Sequence, residues 1–137
     1  MATFELHATL AADTVEVEQW ELCRVLLMND ANYPWLILVP ARWGLRDFHE
    51  LEPHELTTMT TEIVRASKAL EALFDPVKLN VAALGNQVPQ LHIHVIARRE
   101  DDPAWPKPVW GAAPARAYDD KDRNERITRL RAFFERF

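Results

Sequence analysis

The chain has 137 residues, of which 48% are hydrophobic, so it is long enough for one domain with a genuine core. Its formal net charge of -5 and its pI near 5.5 argue against nonspecific binding to nucleic acid or to anionic membranes. The sequence contains no secretion signal and no membrane-length apolar stretch, and Cys23 is its only cysteine. These features predict a cytoplasmic protein without an internal disulfide.

The first part of the chain predicts an antiparallel hairpin. Residues 14–17 and 22–28 have the composition of strands, residues 29–32 form a turn, and residues 35–39 are rich in the apolar side chains of a buried strand. A tight turn between two such strands favours antiparallel pairing.

A long helix is predicted next, from Pro53 to Phe74. Proline suits the first turn of a helix, and apolar residues then recur at helical spacing. These residues are Leu56, Met59, Ile63, Ala66, Leu70 and Leu73. The stripe indicates packing on a core rather than a site, and we expect His49 and His54, which flank the helix start, to be exposed to solvent.

Two further strands complete the predicted sheet. Residues 79–84 form the first, and a polar loop of residues 85–89 leads into the second, residues 90–96. The order of strands, helix and strands predicts an α+β domain, with an antiparallel meander sheet covered by one main helix.

A proline-rich arm and a final helix follow the sheet. Trp105 and Trp110 lie in the arm, and we expect it to be ordered because two indoles would be costly to leave in water. Residues 119–137 form a helix whose apolar stripe is Ile127, Leu130, Phe134 and Phe137. We therefore divide the chain into a domain of residues 1–104 and an arm plus amphipathic helix, residues 105–137, packed on that domain.

The strand predicted over residues 90–96 alternates polar and apolar side chains. Gln90, His92 and His94 therefore share one face, as an exposed ledge with neighbours about 6 to 7 Å apart. Such a row suits an anion or a metal, although a half-buried strand that happens to carry histidine is the plainer explanation. His-x-His is also a metal-ligand pair, but the motif offers no third ligand.

Together with the loop of residues 85–89, this strand resembles the signature of the histidine triad (HIT) family of nucleotide hydrolases and transferases, His-φ-His-φ-His-φ-φ. Gln90 stands where the family has its first His, His92 falls on the middle, nucleophilic His, and His94 falls on the third. The resemblance covers the signature closely and residues 22–99 more loosely. It implies a HIT-like fold and a two-fold homodimer.

The resemblance also implies roles for the residues of the signature. A neutral imidazole at His92 would attack an α-phosphorus, while the backbone carbonyl of Gln90 fixes the tautomer of the ring. A protonated His94 would donate to the phosphate. Asn86 and Gln87 resemble the polar contacts of the family to phosphate oxygens and the leaving group, although a solvated turn explains them equally well.

The roles of Asn29 and of the two arm tryptophans remain open. Asn29, after the second predicted strand, is the nearest candidate for the ribose-binding residue of the family, but asparagine in a hairpin turn is more often structural. Trp105 and Trp110 could wall a nucleotide pocket, and plain packing against the domain is the favoured interpretation.

The resulting hypothesis is a nucleotide hydrolase or nucleotidyl transferase that needs no metal or other cofactor. It would act on nucleoside phosphates, dinucleoside polyphosphates or nucleoside phosphoramidates through a nucleotidyl-histidine intermediate. The alternative, motivated by Gln90, is a nucleotide-binding module that has lost turnover.

Overall fold

A five-stranded antiparallel sheet forms the centre of the computed structural model, which describes residues 2–137. The strands are β1 (Thr14–Gln19), β2 (Cys23–Met28), β3 (Trp35–Pro40), β4 (Lys78–Ala82) and β5 (Ile93–Arg98). The helices are α1 (Ala8–Asp13), α2 (Pro53–Phe74) and α3 (Asp120–Arg136), with a single 3-10 turn at Phe48–Glu50. The predicted α+β class is confirmed.

The order of the strands in the sheet is β1-β2-β3-β5-β4, and every neighbouring pair is antiparallel. The first three strands follow one another as a meander. The chain then crosses through α2 to the far edge, where β4 lies, and β5 returns between β4 and β3. Because β5 is an interior strand, His94 faces Ile37 on one side and Ala82 on the other.

The strand that carries the histidines begins later than predicted. β5 starts at Ile93, and Gln90 to His92 precede it, because the Leu91 amide donates to the carbonyl of Leu45 in the β3–α2 loop rather than to a neighbouring strand. The prediction that the histidines form an exposed ledge is also wrong. His92 and His94 are each 5% exposed.

Both faces of the sheet are covered, which explains this burial. On one face, α2 and α3 pack over a core that includes Met59, Leu70 and Leu130. On the other face, a second core contains Leu10 of α1, Trp35 of β3 and Val109 of the arm. We did not predict α1 from the sequence, because six residues are too few to show a helical period.

Helix α2 has the predicted bounds. Pro53 occupies its first turn, a capping box links Glu52 and Glu55, and Asp75 ends the helix in the left-handed conformation with φ 47°. The carboxylate of Glu62, on the buried side, accepts hydrogen bonds from the amides of Leu22 and Cys23 at 3.0 and 2.9 Å. His49 and His54 are exposed, as expected.

The arm and α3 pack on the same domain, and the division at residues 104 and 105 stays a prediction. Ile127, Leu130 and Phe134 are buried, whereas Phe137 is 71% exposed because it lies beyond the end of α3. The prediction that Phe137 joins the apolar stripe is therefore wrong. Across residues 2–137, no helix combines the length and the apolarity that a bilayer crossing requires.

Candidate active site

His92 is oriented by the backbone of Gln90. Its Nδ1 lies 2.6 Å from the Gln90 carbonyl oxygen, which can only accept, so Nδ1 carries a proton and the lone pair of the neutral ring lies on Nε2. Within residues 2–137, no hydrogen-bond partner reaches Nε2, and the ring lines a cavity. This is the state in which an imidazole is a nucleophile.

His94 has the opposite tautomer. The indole N–H of Trp35 donates to His94 Nδ1 over 3.0 Å, and His94 Nε2 donates to the carbonyl of Leu84 over 3.2 Å. Burial, followed by the charge of nearby His92, lowers the pKa of His94 to about 4, against the opposing effect of the Leu84 carbonyl. His94 is therefore neutral near pH 7, and both ring nitrogens are occupied. The expected role of a protonated His94 as a phosphate donor does not fit this arrangement.

The two imidazoles belong to a larger aromatic cluster. The centroids of the His92 and His94 rings are 4.8 Å apart, and the Trp110 ring lies 5.0 Å from that of His94. Trp110 also meets Trp35 edge to face at 5.9 Å. Trp105, by contrast, packs beside the Arg98 guanidinium at 5.6 Å. Of the two arm tryptophans, Trp110 is the one that reaches the histidines.

A cavity of about 410 Å³ opens in front of the imidazoles. The sheet and the arm contribute aromatic walls, the loop of residues 85–89 contributes amides, and α1 contributes a third wall. The residues are Trp35, Ile37, Met28, His92, His94, Trp110, Gly111, Asn86, Gln87, Val88, Leu84, Gly85, Thr9, Leu10 and Asp13. We call this the main cavity. Sequence reasoning did not identify Trp35 or α1 as part of it.

The predicted loop residues Asn86 and Gln87 do line the main cavity. Both are exposed, and within residues 2–137 neither side chain has a hydrogen-bond partner. Gly85 precedes them where the chain passes close to His92. A Cβ on Gly85 would lie 2.8 Å from the carbonyl oxygen of Val88 and 3.5 Å from His92 Cε1. Glycine is required here to keep the loop near the imidazole.

A smaller cleft of about 190 Å³ also borders His92. It shares Gly85, Asn86 and His92 with the main cavity, and it adds Arg46 and Gln90. His92 therefore lies at the junction of two spaces. Arg46 and Asp47 bring one cation and one carboxylate to the cleft, whereas no arginine or lysine lines the main cavity.

The side chain of Gln90 turns away from the imidazoles. Its Oε1 accepts from the backbone amide of His7 at 2.9 Å, and its Nε2 donates to the carbonyl of Glu5 at 2.9 Å. The expected orienting role of its backbone carbonyl fits the observed distance to His92. The contact of its side chain with the start of the chain was not predicted.

The structure does not bring Asn29 into the main cavity. Its Oδ1 accepts from the amide of Tyr118 at 2.9 Å, at the end of β2. The next residue, Asp30, accepts from the amide of Arg116 at 3.2 Å. Both side chains thus hold the segment before α3 against the sheet, and the ribose-binding role of Asn29 stays a prediction.

The histidine pair does not have the geometry of a metal site. Within residues 2–137, no group of three or more His, Cys, Asp or Glu side chains is placed to hold a metal ion. The lone pair of His94 Nδ1 already accepts from Trp35. The arrangement therefore offers one free imidazole lone pair, that of His92.

These features define a class of protein: an α+β domain in which an imidazole, oriented by a backbone carbonyl just before an interior strand, faces a cavity with aromatic walls and free amides. The sequence profile of the HIT domain matches residues 10–101, which is more than half of the chain. The chain belongs to the HIT domain family, whose members are generally nucleotide-binding hydrolases and transferases.

Solved structures support this assignment over almost the whole chain. A histidine triad protein from Marinobacter aquaeolei VT8 is 44% identical, with a TM-score of 0.95 and 98% of each chain covered. One from Bradyrhizobium japonicum is also 44% identical, with a TM-score of 0.93, covering 96% of this chain and 98% of that chain. One from Sinorhizobium meliloti 1021 is 41% identical, with a TM-score of 0.91 and coverages of 93% and 95%. The comparison with curated proteins finds no match.

Proposed function

We propose that this protein is a nucleotide hydrolase or nucleotidyl transferase in which His92 is the nucleophile. The observation that carries the proposal is the 2.6 Å contact between His92 Nδ1 and the Gln90 carbonyl, which leaves Nε2 as the free, basic nitrogen. A preoriented neutral imidazole needs neither a metal nor a separate base to attack phosphorus.

The reaction proceeds in two displacements at the α-phosphorus. The lone pair of His92 Nε2 forms a bond to phosphorus, while the bond from phosphorus to the leaving oxygen or nitrogen breaks and its electron pair stays with the leaving group, which takes a proton from solvent. Water, or another acceptor nucleophile, then attacks the same phosphorus and loses a proton. The phosphorus–Nε2 bond breaks, and His92 returns to the neutral state.

The two sides of the main cavity suit the two parts of a nucleotide. The indoles of Trp35 and Trp110 provide apolar and aromatic surface for a nucleoside, and the free amides of Asn86 and Gln87 provide donors for phosphate oxygens. The proposed substrates are nucleoside phosphates, diadenosine and related dinucleoside polyphosphates, and nucleoside phosphoramidates.

Gln90 is proposed to stand at the first position of the triad. The acceptor that orients His92 belongs to the backbone, so the substitution leaves that acceptor in place. What the side chain at this position cannot supply is positive charge, because a carboxamide does not ionise.

A binding module without turnover is the second candidate, and the charges around the main cavity favour it. No arginine or lysine lines the main cavity, His94 is neutral, and Asp13 places a carboxylate at the wall. Phosphoryl-type transfer depends on charge stabilisation at the phosphorus, so a cavity without a cation predicts slow chemistry.

Detection of the covalent intermediate tests the proposal. The protein is mixed with adenosine phosphoramidate or diadenosine triphosphate, quenched with base and analysed by mass spectrometry. The expected result is an adenylyl adduct on the peptide that contains His92, together with release of adenosine monophosphate. Binding of adenosine monophosphate without adduct or product would instead identify the binding module.

We also propose a cytoplasmic two-fold dimer. Each chain completes its own main cavity, because Trp110 packs against His94 of the same chain. The support for a dimer is instead exposed apolar surface beside and on the edge strand β4, where Val77 and Val81 are 57% and 48% exposed. Strand edges and apolar patches are common sites of self-association.

A further inference from the structure

We infer that the Gln90 carboxamide is a positioning group for the nucleotide, because it holds the N-terminal segment (residues 4–7) that leads into a wall of the main cavity. This inference rests on the proposed function. Its basis is the pair of 2.9 Å hydrogen bonds, from the amide of His7 to Oε1 and from Nε2 to the carbonyl of Glu5.

A carboxamide is suited to this contact. It presents one acceptor and one donor side by side, as a peptide group does, and therefore pairs with the amide and the carbonyl of an extended segment. A carboxylate would retain the acceptor and lack the donor. A thioether of similar length would lack a strong partner for either bond.

The N-terminal segment connects directly to α1. His7 is the N-cap residue of α1, and its Nδ1 accepts from the amide of Thr9 at 3.1 Å. Thr9, Leu10 and Asp13 of the same helix line the main cavity. Hydrogen bonds that fix His7 therefore also fix the first turn of α1, which forms a wall of the main cavity.

Other contacts of the N-terminal segment are apolar or weak. Phe4 and Leu6 pack partly buried against the second core, and the Arg24 guanidinium lies 5.1 Å from the Phe4 ring. Within residues 2–137, no side chain outside the segment other than Gln90 hydrogen-bonds to residues 4–7. The carboxamide therefore provides the polar part of the attachment.

Gln90 consequently has two separable contacts. Its backbone carbonyl orients His92, and its side chain holds the N-terminal segment. Changing the side chain leaves the carbonyl in place. We therefore expect side-chain variants to weaken nucleotide binding and to raise KM by a larger factor than they lower kcat.

The test compares Gln90→Met and Gln90→Glu with the matched control Gln19→Met in the full chain. Gln19 is an exposed glutamine on β1 whose amide meets only Glu16, at 3.3 Å. Isothermal titration calorimetry measures the Kd of adenosine monophosphate, and hydrogen exchange measures the amide protection of residues 5–13. Thermal unfolding checks that each variant is folded, and Gln90→Glu supports the comparison if Gln90→Met does not fold.

The loss of two hydrogen bonds predicts a Kd about tenfold higher for Gln90→Met, a smaller increase for Gln90→Glu, and no change for Gln19→Met. Exchange at residues 5–13 should accelerate in the same order. The inference would be overturned if amide protection of residues 5–13 in both Gln90 variants equalled that of the wild type. It would also be overturned if the variants lowered kcat and left Kd and KM unchanged. If the wild type binds no adenosine monophosphate, the proposed function fails, and the exchange comparison alone decides whether Gln90 holds the segment.

Discussion

Trp35 donates its indole N–H to Nδ1 of His94 over 3.0 Å, from a position 59 residues earlier in the chain. This contact occupies the lone pair of Nδ1. Burial, followed by the charge of His92, lowers the pKa of His94 to about 4 and keeps the ring neutral near pH 7. The neighbouring His92 donates from Nδ1 to the Gln90 carbonyl. Adjacent histidines therefore have opposite tautomers, and only His92 presents a free lone pair to the main cavity.

His92→Ala should abolish turnover while leaving nucleotide binding within the same order of magnitude, because it deletes the nucleophile and little of the cavity wall. We expect a fall of at least about 10³-fold in kcat, measured as adenosine monophosphate release. His54→Ala, at an exposed histidine near the start of α2, is the matched control and should retain full activity. Retained turnover in His92→Ala would exclude the covalent mechanism.

The stability of the protein should fall with acid because of His94. An unfolded histidine titrates near pH 6.5, whereas burial lowers the pKa of His94 to about 4 in the folded state. Between these values the unfolded chain binds more protons than the folded chain. His94 therefore lowers the free energy of unfolding by at most about 3 kcal/mol as the pH falls from about 6.5 to about 4.

Urea unfolding from pH 7 to pH 4.5 measures this dependence. His94→Asn should flatten the slope of unfolding free energy against pH, whereas His54→Asn, at an exposed histidine, should leave it unchanged. Identical slopes in the wild type and in His94→Asn would show that His94 titrates normally.

Gly85→Ala should displace the loop beside His92. The added methyl group would lie 2.8 Å from the backbone carbonyl of Val88, which must move, and with it Asn86 and Gln87. We expect a loss of about 1 to 3 kcal/mol in stability and at least about a tenfold fall in kcat/KM. The control is Gly44→Asn, where no atom lies within 4 Å of the added Cβ. Its φ of 80° strains any side chain, least for asparagine, so we expect some loss of stability and no change in kcat/KM.

Gln90→His should change kcat by no more than about tenfold, which corresponds to roughly 1.4 kcal/mol in the barrier. The carbonyl that orients His92 is unaltered, and the new imidazole adds a titratable group two residues from His92 in the chain, so the main effect should be on the pH dependence. Rates for both proteins are compared from pH 5 to 9 with adenosine phosphoramidate. A gain of several orders of magnitude would instead identify the natural chain as a lapsed enzyme.

Light scattering at micromolar concentration should give twice the mass of the 15.9 kDa chain. If β4 provides the interface, Val81→Lys, at a side chain 48% exposed, should shift the protein towards the monomer, because it places a charge on the apolar edge. Val64→Lys, at a side chain 45% exposed on α2, is the matched control. A monomeric wild type would remove the dimer proposal.

Local signals in the sequence determined much of this structure. Helix α2 has its predicted bounds, because a proline at the start and a continuous apolar period are properties of the segment itself. The placement of His92 next to an amide-bearing loop also followed from a short motif, and so did the orienting carbonyl of Gln90, which is two residues away.

The tertiary structure decided the features that depend on distant partners. The hydrogen bond from Trp35 to His94 spans 59 residues, and the hydrogen bond from His7 to the Gln90 side chain spans 83 residues. The burial of β5 follows from its place between β3 and β4 and from the cover that α1 and the arm provide. Periodicity reports which face of an element is apolar, but it does not report which remote donor, acceptor or wall will meet a polar side chain. Those partners are selected only when the chain packs, because the hydrogen bonds of buried groups must then be satisfied within the protein.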